Sequence, residues 1–198
     1  MQRPLTGEPL AVDLLNTCWR QDGREVDLLV DVDGLAQWLR ESGQADVAAS
    51  EPVRAALVQA RAAVRGAVEA APGAEDAVNG VLARGVIVRT LRAGGVRERV
   101  LFADEDWAPA WRAVDDYVTL TTAAPDGVRQ CDQPECVLYF FDPSRRRRWC
   151  SMAGCGNRAK ARRHYARWAA SSPAPPGTAS PDAGPSASTA SDDVAGSR

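Results

Sequence analysis

Four cysteines constrain this chain more than any other feature. Cys131, Cys136, Cys150 and Cys155 fall as two pairs, with four residues inside each pair and thirteen between the pairs. Two short loops that each present two thiolates can set four sulfurs at the corners of a tetrahedron, and structural zinc prefers that site. Two disulfides would suit a secreted chain, and nothing here reads as secreted. Iron also accepts four thiolates, so the spacing speaks for a metal before it speaks for zinc.

Charge is distributed unevenly around this stretch. Residues 129–168 hold ten basic side chains against three acidic ones, whereas the chain as a whole has a net charge of -2. A basic module on an acidic body suggests a polyanion as partner. At 198 residues there is room for one ordinary domain and a small module, and 45% hydrophobic residues suffice for a core. No N-terminal apolar segment has signal-peptide length, and no run approaches the roughly eighteen apolar residues of a membrane span. A cytoplasmic protein with reduced thiols is expected.

The pattern along the chain predicts an α+β fold. Leu10–Leu15 reads as a short strand or the start of a helix, ended by the polar pair Asn16-Thr17, with Asn16 as a turn former or a ligand contact. A helix is expected over 34–42, capped by Asp33 and stopped by Gly43, and a second one after Ser50 with Pro52 in its first turn. Arg54, Arg61 and Arg65 lie outside that helix's apolar stripe and read as a solvated face, or as partners for a ligand's carboxylate or phosphate. A short helix over 75–83 precedes the clearest hairpin signal, 85–91 and 96–102 around Gly94-Gly95. A helix over 107–121 carries Trp107, Trp111, Val114 and Val118 as core positions. From Ser171 the chain is Ala, Ser, Pro and Gly with scarcely any large apolar residue, and disorder is expected for 171–198.

Within the cysteine segment, 137–141 reads as a strand that Asp142-Pro143-Ser144 turns and 145–149 returns. Asn157 is placed to cap a helix from Arg158, with Ala161, Tyr165 and Trp168 as a stripe against the hairpin. Lys160, Arg163 and Arg167 occupy the opposite arc, and Arg158 and Arg162 border the stripe. Such a helix fits a DNA major groove, and Arg145, Arg146, Arg147 and Arg148 add phosphate contacts. No catalytic arrangement emerges. The single histidine, His164, sits among arginines, and four thiolates leave no open position for water, so no enzyme is expected.

Cys131, Cys136, the YFFD run Tyr139 to Asp142, Ser144-Arg145, Arg148 to Met152, Cys155-Gly156-Asn157-Arg158 and Lys160 resemble the CGNR zinc finger. More loosely, LAVDLLNT (10–17), Asp27-Leu28-Leu29, Gly34-Leu35 and Trp38-Leu39 resemble the ABATE domain that precedes this finger in its family. The resemblance implies Cys131, Cys136, Cys150 and Cys155 as ligands of one structural Zn2+, DNA as partner, and a stress-induced transcription regulator. It also implies a ligand-sensing domain over about 5–122, with Asn16-Thr17 as a ligand contact, and a finger over about 128–170. An RNA-binding or protein-docking zinc module is the alternative. A homodimer is compatible with so small a basic module, but no heptad pattern supports one.

Overall fold

The computed structural model describes residues 2–171. Mixed helices and small antiparallel sheets confirm the α+β class. The order is α1 (Leu10–Leu15), β1 (Cys18–Gln21), β2 (Arg24–Asp27), α2 (Val32–Glu41), α3 (Glu51–Val68), α4 (Ala74–Leu82), β3 (Gly85–Arg92), β4 (Gly95–Phe102), α5 (Ala108–Ala123), β5 (Val128–Gln130), β6 (Tyr139–Phe141) and α6 (Asn157–Ser171). The strands form three separate two-stranded hairpins: β1 with β2, β3 with β4, and β5 with β6. No helix among the described residues is long and apolar enough to cross a membrane.

Residues 2–162 form one compact unit, and the described residues from 163 to 171 belong to a second. The first unit has one core. Leu14, Leu15, Leu35, Trp38, Leu57 and Val64 from the helices share it with Val128, Cys131, Leu138, Tyr139, Phe140, Cys150 and Cys155. Each large side chain fully removed from water there stabilises the fold by about 2–3 kcal/mol.

Leu10–Leu15 resolves as a helix. Its N-cap residue is Pro9, which offers no side-chain acceptor. Asp116 of α5 accepts the Ala11 N–H at 2.8 Å in its place. α2 begins earlier than expected, capped by Asp31, whose carboxylate accepts the Gly34 N–H at 2.8 Å, so Asp33 sits inside the helix. Ser50 caps α3 as expected, accepting from the Val53 N–H. The β1–β2 hairpin was not anticipated, although its signal was present. Asp22-Gly23 joins the strands, with φ of 51° and 77°, the pair of left-handed residues a two-residue turn needs.

In the second hairpin Arg92 pairs with Gly95, so Ala93-Gly94 makes the turn one residue earlier than expected. Gly85 at its base admits no side chain: a Cβ there would lie 2.8 Å from both Phe102 and the Trp111 indole nitrogen.

The third hairpin corrects the expected one. β6 pairs with β5, with Val128 opposite Phe141 and Gln130 opposite Tyr139, and 145–149 forms no strand. Asp142 is the reason. Its carboxylate accepts from the Ser144 N–H and hydroxyl and from the Arg147 N–H, at 3.0, 2.6 and 2.6 Å, and Arg145 turns left-handed at φ 57°. These bonds curl the chain away from a β return.

The start of α6 also differs. Ser151 caps the helical stretch, accepting the Gly154 N–H at 3.1 Å, and a π-helical turn over Met152–Gly156 leads directly into α6. Asn157 is already helical and donates to the Ala153 carbonyl, so it is not the cap. α6 has no buried residue, and Tyr165 and Trp168 of the expected stripe are exposed. The tail expected from 171 lies, beyond Ser171, outside the described residues.

Candidate metal centre

The two cysteine loops converge. The sulfurs of Cys131, Cys136, Cys150 and Cys155 all lie within 4.8 Å of one another. Cys136 and Cys150 are 3.8 Å apart, and Cys150 and Cys155 are 3.5 Å apart. Zinc–sulfur bonds of about 2.3 Å in a tetrahedron require sulfur separations of about 3.8 Å. A disulfide needs about 2.05 Å, and all five cysteines of the chain are free thiols. The donor set therefore fits a closed four-thiolate metal site, matching the expectation from spacing.

Backbone donors hold the sulfurs in place. The Cys150 N–H donates to the Cys131 sulfur at 3.3 Å, and Cys131 and Leu138 close the first loop through a backbone hydrogen bond of 2.9 Å. Arg158 donates from Nη2 to the Cys155 sulfur at 3.0 Å, a fixed positive charge beside the thiolates. The thiols differ in acidity. A hydrogen bond from Cys150 draws Cys136 down to about 5. The same contact, then burial, pushes Cys150 up, and burial pushes Cys131 up. Metal binding to such a set requires thiolates, so a bound ion would displace thiol protons. A cavity of about 510 Å3 opens on Cys136, Cys150 and Cys155, walled by Trp19, Arg20 and Arg158.

The finger's edge is stitched to the helical part by side chains. Asn16 is completely buried. Its Oδ1 accepts the Tyr139 N–H at 2.8 Å and its Nδ2 donates to the Tyr139 carbonyl at 3.0 Å. Glu8 accepts the Phe141 N–H at 3.0 Å and Arg147 Nη1 at 2.9 Å. Thr17, also fully buried, donates to the Leu14 carbonyl at 2.7 Å and accepts from Arg61 at 2.8 Å. Asn16 and Thr17, expected as a turn former or a ligand contact, are sealed in the core with internal partners, and Asn16 is the C-cap of α1. Arg61 does not form a solvated face either. It is buried and grips Asp27 through two bonds of 2.6 and 2.7 Å. Burial works against the Asp27 carboxylate, but Arg61 outweighs it and holds the carboxyl below its usual range.

The basic residues separate into two kinds. Arg147 is structural. It donates to the Trp149 and Cys150 carbonyls, pairs with Glu8 and covers the Phe140 ring at 4.5 Å. Arg145, Arg146, Arg148, Arg158, Lys160 and Arg162 are exposed. Arg145 pairs with Asp126 at 3.0 Å and Arg148 with Asp132 at 2.8 Å, both on the surface. In the second unit Arg163 and Arg167 are exposed. Sequence reasoning missed Glu8, Asp27 and Asp142. The density of arginines, which need internal acceptors when buried, hinted at Glu8 and Asp27, and the turn sequence Asp142-Pro143-Ser144 hinted at Asp142.

Two family models match the chain. The CGNR zinc finger matches residues 128–168. The ABATE model, described as "Putative stress-induced transcription regulator", matches residues 8–129, more than half of the chain. A search of curated proteins finds none that matches. With four sulfurs converging within the matched finger, the chain belongs to the ABATE family and carries a CGNR zinc finger at its C-terminal side.

Proposed function

We propose that this protein is a transcription regulator that binds DNA through a finger organised by one structural Zn2+. The convergence of Cys131, Cys136, Cys150 and Cys155 within 4.8 Å carries the reading. Zinc suits it because all four donors are sulfur and the set is complete. The ion would tie 131–136 to 150–155 and fix the exposed arginines around them. Arg146, Arg148, Lys160 and Arg162 offer charge for phosphate and Arg158 for the cluster's edge. A cytoplasmic location accords with reduced thiols.

The N-terminal domain would sense a small ligand. Support comes from a cleft of about 690 Å3 lined by Glu69 at the end of α3 and by Tyr117, Thr121, Arg129 and Tyr139 of α5, β5 and β6. Tyr139 donates its hydroxyl to Glu69 at 2.9 Å, and burial with that bond pushes its phenol up to about 12. An occupant there would touch the strand that Asn16 holds.

Fluorescence anisotropy with duplex DNA, duplex RNA and single strands over a salt series tests the DNA reading. Duplex DNA should bind with a steep salt dependence that the Cys150→Ser/Cys155→Ser variant loses. Unchanged binding by that variant, or preference for RNA, would count against it.

A further inference from the structure

The β3–β4 hairpin is an arm whose apolar face continues the core into solvent. The register puts Gly85, Ile87, Arg89 and Leu91 on one face, opposite Phe102, Val100, Glu98 and Val96. At its base Phe102 meets the edge of Trp111, ring centroids 5.8 Å apart. Further out nothing in the described residues covers it: Ile87 is 45% exposed, Val96 64% and Leu91 81%. A two-stranded sheet alone in water is marginal, and one with an uncovered apolar face asks for a partner.

We propose that this face docks on the same face of a second copy of the chain, forming a two-fold dimer. Its charge pattern is self-complementary. Arg89 and Glu98 form a cross-strand ion pair in the middle of the face, between the Ile87–Val100 and Leu91–Val96 pairs. A two-fold axis along the arm lays β3 of one copy over β4 of the other at equal height from Ile87 outward, beyond the base that each copy's own Trp111 covers. Leu91 then meets Val96, Ile87 meets Val100, and Arg89 of each copy meets Glu98 of the other. The four charges alternate in sign, so the ions at the centre favour rather than oppose docking. Pairing along the β4 edge is opposed. A symmetric register centred on Arg97, Glu98 or Arg99 sets like charges opposite each other.

Sedimentation velocity of the full chain as purified, over a micromolar dilution series, tests the proposal. The wild type should dimerise. Leu91→Thr/Val96→Thr keeps β-forming residues, and should raise the dimer dissociation constant about tenfold or more while metal content and far-UV circular dichroism match the wild type. Arg89→Glu and Glu98→Arg should each weaken the dimer, and an equimolar mixture of the two should recover it as a heterodimer. Both variants lose the pair within their own arm, so recovery arises only across copies. A wild type monomeric at every concentration would overturn the proposal, as would a dimer indifferent to Leu91→Thr/Val96→Thr or a mixture no tighter than its components.

Discussion

Asn16 pairs with both backbone groups of Tyr139, at 2.8 and 3.0 Å, across 123 residues of chain. One carboxamide thus serves the outer edge of β6 as a neighbouring strand would, joining the helical part to the finger. Asn16→Ala leaves a buried N–H and carbonyl unpaired. It should cost about 2–4 kcal/mol in urea unfolding. A loss below about 0.5 kcal/mol, ordinary for surface changes, would contradict this role.

Metal removal should be felt throughout the first unit. An independent N-terminal domain, unaffected by chelation, is what separate domains would give. Cys131, Cys150 and Cys155 instead lie in the same core as Leu14, Trp38 and Leu57. Thermal unfolding with chelator should show one transition at lower temperature, followed by circular dichroism. A helical transition that keeps its midpoint would show that the two parts fold separately.

Arg158 should act on metal affinity through the Cys155 sulfur that it contacts at 3.0 Å. Arg158→Ala should weaken metal binding about 10–100-fold in a chelator competition, the range for groups that hold a ligand in place. Arg158→Lys should recover part of the loss.

Exposed and internal arginines should respond differently. Replacing Arg146, Arg148 or Arg162 by Gln should weaken nucleic-acid binding evenly across sequences, lowering the salt slope by about one per residue that contacts phosphate. Arg147→Gln should instead lower stability by about 1–3 kcal/mol, since two carbonyls and Glu8 lose their donor. Chemical denaturation beside anisotropy separates the two effects.

Asp27 should make stability depend on acid pH. Its folded carboxyl lies below the unfolded value of about 3.9, so the unfolded chain binds more protons between the two. Its contribution is complete above the unfolded value and is lost as pH falls through the folded one. Asp27→Asn should flatten the fall in stability below about pH 4 relative to wild type at matched pH. Parallel curves would disprove it.

The four-cysteine cluster, a candidate metal site, and most helices were legible from the chain alone. Cysteine spacing is a local property, and two loops so spaced can present four thiolates to one ion. Ser50, through a bond made within one turn, and Pro52, through its fixed φ, likewise announce α3. What the tertiary structure decided were the partners. Asn16, Glu8, Asp27, Arg61 and Arg147 look like surface residues in sequence, because each has a partner that fixes it across the fold from 34 to 139 positions away. Asp142 turned the expected return strand into a curl, and burial converted an apparent ligand pair, Asn16-Thr17, into a brace. Local patterning sets which side chains can bind metal or form helices. Only the packed core, by removing water, fixes which polar groups must find one another.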